Sequence, residues 1–508
     1  MVPTAVTTLT ASLNQIQNGL GALLPEFLLA GFSLLLIFLD LFRSPKLKIL
    51  LPQLSLLGFL VVGSVQLFEG LHITSYAVPH PFLLGFLLKD GLSMYAGLLF
   101  SLCGFFTILL GWNFKLFQTA WFGRGEFYAY LFVFTMGLNF MVKSANLLLL
   151  FVSIELVSIA GYLLTMIVKD HVRSTEAGIK YILYGTMAAG VMLYGMSFLY
   201  GFTGSLQFLQ PEFWQEVSKI FPPAVTIILV FTLAGLLFKI AAAPFHFWAP
   251  DVYENTPTPV VALFSTAPKI AGILVILRLV EVLKAQKLYQ ALYFDVLLFV
   301  AGIAVFTLII GNFTALWQQK PKRMLAYSSV SHAGFMLAAC LSLSGDNLSN
   351  LLFYVTVLLF TNYGIFWFIQ EFEDRLGVQQ FTDFSGWGRH YPFLGIITLV
   401  FLISLTGLPP TAGFTAKLLV FSSVWQNYQI SGNPLMLVLV VTGLLFTGVA
   451  FFYYVKIPYF LFFKRNLRKQ KKVIPISSQV FILLLALPII LFFFRTDWLI
   501  NFIHLFIK

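Results

Sequence analysis

The sequence has little charge for its length. Asp, Glu, Lys and Arg make up only 10% of its 508 residues, whereas a typical soluble protein has about a quarter. Hydrophobic residues make up 59%. So few polar side chains cannot cover a water-soluble core of this size, which excludes a soluble enzyme and predicts a polytopic membrane protein. The aromatic content of 17% is typical of lipid-facing helices and not of an outer-membrane barrel.

Patterns that would bind a metal or a cofactor are also scarce. The two cysteines, Cys103 and Cys340, lie in separate apolar stretches without CxxC or Cys/His spacing, which argues against a disulfide framework and a zinc or iron–sulfur site. The sequence has no P-loop or GxGxxG motif, so we expect no cofactor in this chain. The net charge of +11 is spread over loops between apolar runs, which indicates membrane topology and argues against nucleic acid as a partner.

Apolar runs of about 20 residues, long enough to cross a bilayer as a helix, recur along the chain. They predict an all-α polytopic membrane protein with about fourteen transmembrane helices, the first near 21–42 and the last near 474–494. Loops that follow odd-numbered helices hold the larger share of the 31 Lys and Arg residues, including the run 464–472. By the positive-inside rule these loops are cytoplasmic and both termini lie outside, in a bacterial inner membrane.

Four charged residues fall near the middle of predicted helices: Glu155, Lys239, Lys269 and Lys417. A charge at this depth costs at least about 2.5–3.5 kcal/mol on insertion scales, so several of them need a reason. Ion pairs that lock helices together are one explanation, but a single glutamate leaves two of the lysines without a partner. The other explanation is a chain of titratable groups that carries protons through the membrane interior.

Helix breaks beside two of these lysines favour the proton-carrying interpretation. The seventh predicted helix contains Pro244 five residues after Lys239, and the twelfth contains Pro409 and Pro410 before Lys417. Because proline removes a backbone donor and clashes with the preceding turn, we expect both helices to be discontinuous. Irregular backbone at membrane depth requires a covering of protein or a water-filled cavity, which gives a nearby lysine access to water.

Other polar residues in apolar runs have two interpretations. His246 and His332 are candidate proton relays, because imidazole titrates near neutral pH, or else polar groups at helix contacts. Lys180 is a candidate relay member or an interface anchor. Arg278 lies near the end of its predicted helix, where it can extend to the interface, and Lys456 can lie deep in the membrane but need not.

Three motifs carry a family resemblance. FKIAAAPFHFWAPDVYENTPTPVVALFSTAPKIAG, KPKRMLAYSSVSHAGF and GLPPTAGFTAK resemble the antiporter-like subunits of proton-pumping NADH:quinone oxidoreductase, respiratory complex I. The similarity extends from about Leu131 to Phe463. It implies two inverted five-helix repeats between the first three helices and the last. The expected organisation is one membrane domain with these parts at about 21–113, 127–281, 291–463 and 474–494.

The resemblance also implies roles for the buried charges. Glu155 would modulate Lys239, Lys269 would connect the two repeats, and Lys417 would serve the second half-channel. Within the family the N-type branch, which corresponds to mitochondrial subunit 2, is the most similar. The M-type branch has a glutamate where this chain has Lys417, and the L-type branch continues into a long lateral helix.

The expected function is therefore proton translocation in the membrane arm of complex I. The resemblance implies that flavin and iron–sulfur clusters lie in partner subunits, that other antiporter-like and small membrane subunits flank this chain, and that quinone is used by the complex but not bound here. One alternative is a subunit of a multisubunit cation/proton antiporter. The other is a membrane scaffold that moves no ions.

Overall fold

The computed structural model describes residues 20–42, 45–72, 82–83, 85–114, 124–168, 172–285, 290–341, 347–464 and 473–507. This part of the chain is helical, and its only β pairing consists of isolated bridges. The main helices, in chain order, are α1 Leu24–Leu41, α2 Pro45–His72, α3 Gly91–Asn113, α4 Arg124–Lys143, α5 Leu147–Thr165, α6 Val172–Thr203, α7 Pro211–Val217, α8 Pro222–Lys239, α9 Trp248–Asn255, α10 Thr258–Phe264, α11 Ala267–Ala285, α12 Gln290–Trp317, α13 Pro321–Cys340, α14 Asn347–Leu376, α15 Pro392–Thr406, α16 Ala412–Ser431, α17 Pro434–Tyr454, α18 Ile476–Phe494 and α19 Thr496–Phe506.

Among the described residues, 12 helical segments are long and apolar enough to cross a membrane. They coincide with twelve of the fourteen predicted spans. The tenth predicted span is α13, which is too polar to belong to this group. The twelfth is divided into α15 and α16, of which α15 is apolar but short. The all-helical membrane fold predicted from the composition is confirmed.

Both predicted breaks are present, and a third was not predicted. Between α8 and α9 the chain has a positive φ at Ala241 and a cis bond before Pro244. Between α15 and α16 it has a left-handed Gly407, with φ of +84°, and a cis bond between the two prolines. The third break separates α10 from α11 at Ser265 and Thr266.

Burial separates a central group of helices from an outer group. In the most apolar 18-residue part of each span, 100% of the residues are buried within Thr258–Lys284 and 94% within Asn347–Leu376, but only 28% within the last span, Ile476–Phe494. Helix α13 is central as well. It lies against α12 so closely that a Cβ at Gly311 would be 2.6 Å from the Ser331 nitrogen.

Two basic residues, Arg278 and Lys143, form buried ion pairs. Arg278 does not extend to the interface. It is buried and donates two hydrogen bonds of 2.7 and 2.8 Å to the Asp90 carboxylate. Lys143, the last residue of α4, is buried in an ion pair of 2.7 Å with Glu26. Neither pair was predicted, because each partner lies more than one hundred residues away in sequence. Burial makes pairing obligatory for such charges.

The chain ends in a short helix, α19, that the hydrophobic runs did not predict. Phe506 of this helix packs against the ring of Tyr95 in α3, and its carbonyl lies so close to Gly91 that a Cβ there would be 1.6 Å from the oxygen. Lys456, before the basic run 464–472, is half-buried and donates to the Leu316 and Gln318 carbonyls. Residues 465–472 of that run lie outside the described residues.

Candidate functional site

Lys239 is the last residue of α8, at the first break. It is only 1% exposed, and its Nζ has no hydrogen-bond partner among the described residues. The charge of Glu155, from the middle of α5, acts on Lys239, yet Glu155 Oε1 is also buried without a hydrogen bond. The position at a helix C-terminus favours a cation, because the carbonyl end of the helix is negative. The structure therefore brings the predicted pair together without closing it into a hydrogen-bonded ion pair.

Lys269 lies just after the third break, in the first turn of α11. Its Nζ donates a 2.6 Å hydrogen bond to the backbone carbonyl of Ser329 in α13, and no carboxylate acts on it. The break itself is polar, because Asn362 of α14 donates to the Ser265 carbonyl at 3.2 Å. Lys269 thus joins the helix that carries it to the helix that carries His332.

Lys417 faces the second break from α16. Its Nζ donates to the carbonyls of Leu405 and Thr406 at 3.2 and 2.8 Å, and lies 4.5 Å from the centre of the Phe335 ring. These carbonyls belong to the last turn of α15, which has no next turn to bond to because the helix stops at Gly407. The break therefore creates the acceptors that hold the buried ammonium group.

His332 lies between the second and third lysines. The charges of Lys269 and Lys417 both act on it. Its Nδ1 is 2.7 Å from the Tyr354 hydroxyl and its Nε2 is 3.3 Å from the Tyr454 hydroxyl. An imidazole with a hydroxyl on each nitrogen can accept a proton on one side and release one on the other.

His246 and Lys180 occupy different environments. His246 lies between α8 and α9, is buried, and has an Nδ1 without a hydrogen-bond partner among the described residues, while the charge of Lys269 acts on it. The side chain of Lys180 is 40% exposed and makes ion pairs with Glu176 at 2.9 Å and Asp251 at 3.2 Å. The structure brings His246 towards the buried row and leaves Lys180 outside it, in a separate charged cluster.

That cluster was not singled out from the sequence. Lys320 and Arg323, at the start of α13, pair with Asp251 and Glu254 of α9, and Lys322 pairs with Glu373 of α14. Four of these residues line a cavity of about 160 Å³: Glu254, Lys320, Lys322 and Glu373. The signal was available, because KPKR and PDVYE are the most highly charged parts of the two motifs that contain them.

The arrangement provides two groups of interacting charges that can hold protons. The charge of Glu155 acts on Lys239. The charge of Lys269 acts on His246 and His332, and the charge of Lys417 acts on His332 as well. At the second and third breaks, backbone carbonyls accept hydrogen bonds from buried side chains. Among the described residues, no group of three or more His, Cys, Asp or Glu side chains could hold a metal ion.

Comparisons with known proteins agree with this geometry. Residues 144–447 match the family model described as NADH:quinone oxidoreductase/Mrp antiporter, TM. NADH-quinone oxidoreductase subunit N 2 of Chloroherpeton thalassium is 32% identical over 89% of this chain and 87% of its own length. NADH-quinone oxidoreductase subunit N of Bacillus anthracis is 33% identical over 92% of each chain.

Solved structures with the same fold span almost the whole chain. A chain of respiratory complex I from Thermus thermophilus with bound aureothin has a TM-score of 0.75 and 28% identity, covering 94% of this chain and 99% of that one. A chain of the Mrp complex from a Dietzia species has a TM-score of 0.77 at 18% identity, covering 96% and 97%. The second likeness concerns the fold alone.

Proposed function

Because the chain belongs to the NADH:quinone oxidoreductase/Mrp antiporter family, in its subunit N branch, we propose that it moves protons for complex I along a buried relay. Glu155, Lys239, Lys269 and Lys417 form the relay, and His332 bridges the last two lysines. The free energy comes from quinone reduction in partner subunits, which hold the flavin and the iron–sulfur clusters. This chain contributes the proton path and no redox chemistry.

The observation that carries this proposal is the unbonded, buried Nζ of Lys239 beside Glu155. A lysine whose only purpose was to lock helices would be expected to bond to its carboxylate, because an unsatisfied buried charge is costly. Two unit charges about 4 Å apart interact by roughly 4 kcal/mol at an effective dielectric near 20. Moving Glu155 towards or away from Lys239 therefore changes the proton affinity of the lysine by orders of magnitude.

Transfer then proceeds from Lys239 to Lys269 and through His332 to Lys417. Lys269 and Lys417 each bond to backbone carbonyls, which cannot neutralise an ammonium group, so each is free to lose its proton when a second positive charge arrives. The Tyr354 and Tyr454 hydroxyls on His332 supply the donor and acceptor for its two nitrogens. His246, near Lys269, is proposed as a side member of this relay.

Arginine at position 239 tests the relay, because arginine keeps the charge but does not deprotonate in proteins. We expect Lys239→Arg, Lys239→Ala and Glu155→Gln to leave the complex assembled and to cut proton uptake by membrane vesicles during NADH oxidation. Lys219→Arg is the matched control, because Lys219 is exposed and pairs with Glu216 at the surface. Assembly is checked on native gels. Full proton pumping by Lys239→Arg would refute the relay.

A second candidate is cation/proton exchange, as in the Mrp complexes that share the family model and the fold. The two candidates differ in what drives the protons. Purified complex that reduces quinone with NADH, and contains flavin and iron–sulfur clusters, supports the first. Transport that depends on a sodium gradient and needs no electron donor supports the second.

We propose that both termini lie on the non-cytoplasmic side, with other membrane subunits covering the outer helices. The support is the excess of Lys and Arg in odd-numbered loops. A cysteine placed in the run 464–472 should resist a membrane-impermeant thiol reagent applied to intact cells. Labelling from outside would overturn this topology.

A further inference from the structure

Three basic residues stand where the helix dipole disfavours them. Lys320, Lys322 and Arg323, here called the basic turn, occupy the N-cap and first turn of α13, and that turn contains no acid. The N-terminus of a helix carries a partial positive charge, so cations are unfavourable there. Because three of the four residues 320–323 are basic, their unfavourable interaction with the helix dipole must be compensated by contacts elsewhere in the fold.

The compensation comes from acids on two other helices. Arg323 Nη1 lies 2.7 Å from Asp251 Oδ1 and 3.0 Å from Glu254 Oε2, both on α9. Lys320 lies 2.5 Å from the other oxygen of Glu254. Asp251 and Glu254 are three residues apart, so they project from one face of α9, and a single guanidinium bridges them.

A further pair attaches the basic turn to α14. Lys322 lies 2.6 Å from Glu373 Oε2, and the Thr258 hydroxyl donates to the same oxygen at 2.9 Å. Thr258 begins α10. The basic turn therefore fixes the start of α13 against α9 and, through Glu373, against the start of α10.

These contacts connect the two predicted repeats close to two relay residues, Lys239 and His332. Helix α9 follows the break after Lys239 and belongs to the first predicted repeat. Helix α13 belongs to the second, and it carries the Ser329 carbonyl that accepts from Lys269 as well as His332. A shift of α9 relative to α13 would change the spacing between Lys239, which directly precedes the break before α9, and His332 on α13.

We propose that Arg323 is a positioning residue for proton transfer between the repeats: by bridging Asp251 and Glu254 it holds α9 against α13 and so fixes the spacing of the relay. This inference rests on the proposed function. Arg323 does not itself exchange protons. Among the described ion pairs of the basic turn, Arg323 is the one residue that contacts two acids on the same helix. Lys320 and Lys322 each contact one acid.

The test measures protons taken up per NADH oxidised by vesicles that contain the assembled complex. We expect Arg323→Gln to lower this ratio and Arg323→Lys to restore most of it, because an ammonium group can still reach both carboxylates. Arg375→Gln is the matched control: Arg375 has a similar exposure and pairs with Glu371 one turn away on its own helix. It should leave the ratio unchanged. If Arg323 had only a structural role, Arg323→Gln would reduce the amount of assembled complex. The complex that still assembles would take up the normal number of protons per NADH oxidised.

Asp251→Asn provides an independent variant if Arg323→Gln does not assemble. It should lower the ratio too, and its effect combined with Arg323→Gln should be less than the sum of the two single effects, because both variants remove the Arg323–Asp251 contact. A normal ratio in both single variants, while Lys239→Arg does not pump, would overturn the positioning role alone. Normal ratios in all three variants would overturn the proposed function itself.

Discussion

Replacing Gly407 by alanine should misplace Lys417 without altering any charge. Gly407 caps α15 in a left-handed conformation, with φ of +84°. A Cβ added there would lie 2.5 Å from Lys417 Cδ, whereas ordinary contacts fall at 3.4–4 Å. The lysine side chain is the flexible partner, so it is the group that must move.

The size of the displacement follows from these distances. Lys417 Cδ must retreat by about 0.9 Å to reach the nearest ordinary contact. A retreat of this size takes the 3.2 Å bond to the Leu405 carbonyl beyond hydrogen-bond range and weakens the 2.8 Å bond to Thr406. A misplacement of about 1 Å can cost roughly 100-fold in a reaction that depends on position. Proton transfer through Lys417 should therefore almost cease.

The assay is proton uptake per NADH oxidised in vesicles carrying Gly407→Ala. Gly432→Ala is the control, because Gly432 also has a positive φ, +64°, but a Cβ there would meet nothing within 4 Å. Both variants bear the same backbone strain of about 1–2 kcal/mol, and only the first should lower the proton-to-NADH ratio. Equal ratios in the two variants would refute the argument that Lys417 must be held at the break.

Three further outcomes concern assembly and stability. Arg278→Gln should destabilise the complex by about 3–5 kcal/mol, because it leaves the buried carboxylate of Asp90 unpaired, and this should appear as less complex on native gels. Burial alone would raise the pKa of Asp90, which precedes α3, but the ion pair with Arg278 outweighs burial and holds that pKa below its ordinary value of 3.8. The pair therefore stabilises fully above this value and loses its effect as the pH falls through the lowered pKa, so thermal unfolding of wild type and Arg278→Gln should converge only in strong acid. Gly91→Ala should displace α19, since its Cβ would collide with the Phe506 carbonyl, and expose the C-terminus to protease; Gly63→Ala, where a Cβ meets only ordinary contacts, should not.

The sequence predicted the parts of this fold that depend on local properties. Apolar length located the spans, and proline located the breaks beside Lys239 and Lys417, because both effects act within one helix. The third break, beside Lys269, was missed because the apolar run continues through it. Pro268, the second residue of α11, was the available signal.

Contacts between distant parts of the chain were beyond the same reasoning. The partner of Arg278 lies 188 residues away, so nothing near the arginine indicates an ion pair. His332 was proposed as a relay from its chemistry alone, whereas its two tyrosine partners come from α14 and α17. Burial in the membrane decides the state of such residues, and burial depends on the packing of all helices together.

The polarity of α13 has a consequence for how the chain is made. Helix α13 is not apolar enough to cross a membrane by its composition alone. Nearly all of its residues are nevertheless buried. If each helix were inserted into the bilayer separately, according to its own hydrophobicity, α13 would remain in water. Because it packs closely on α12 at Gly311 and Gly334, we expect the two helices to enter the bilayer together as a hairpin during synthesis. A bulky residue at Gly334 should prevent insertion of this hairpin, and its effect would appear in the newly made chain before any complex exists.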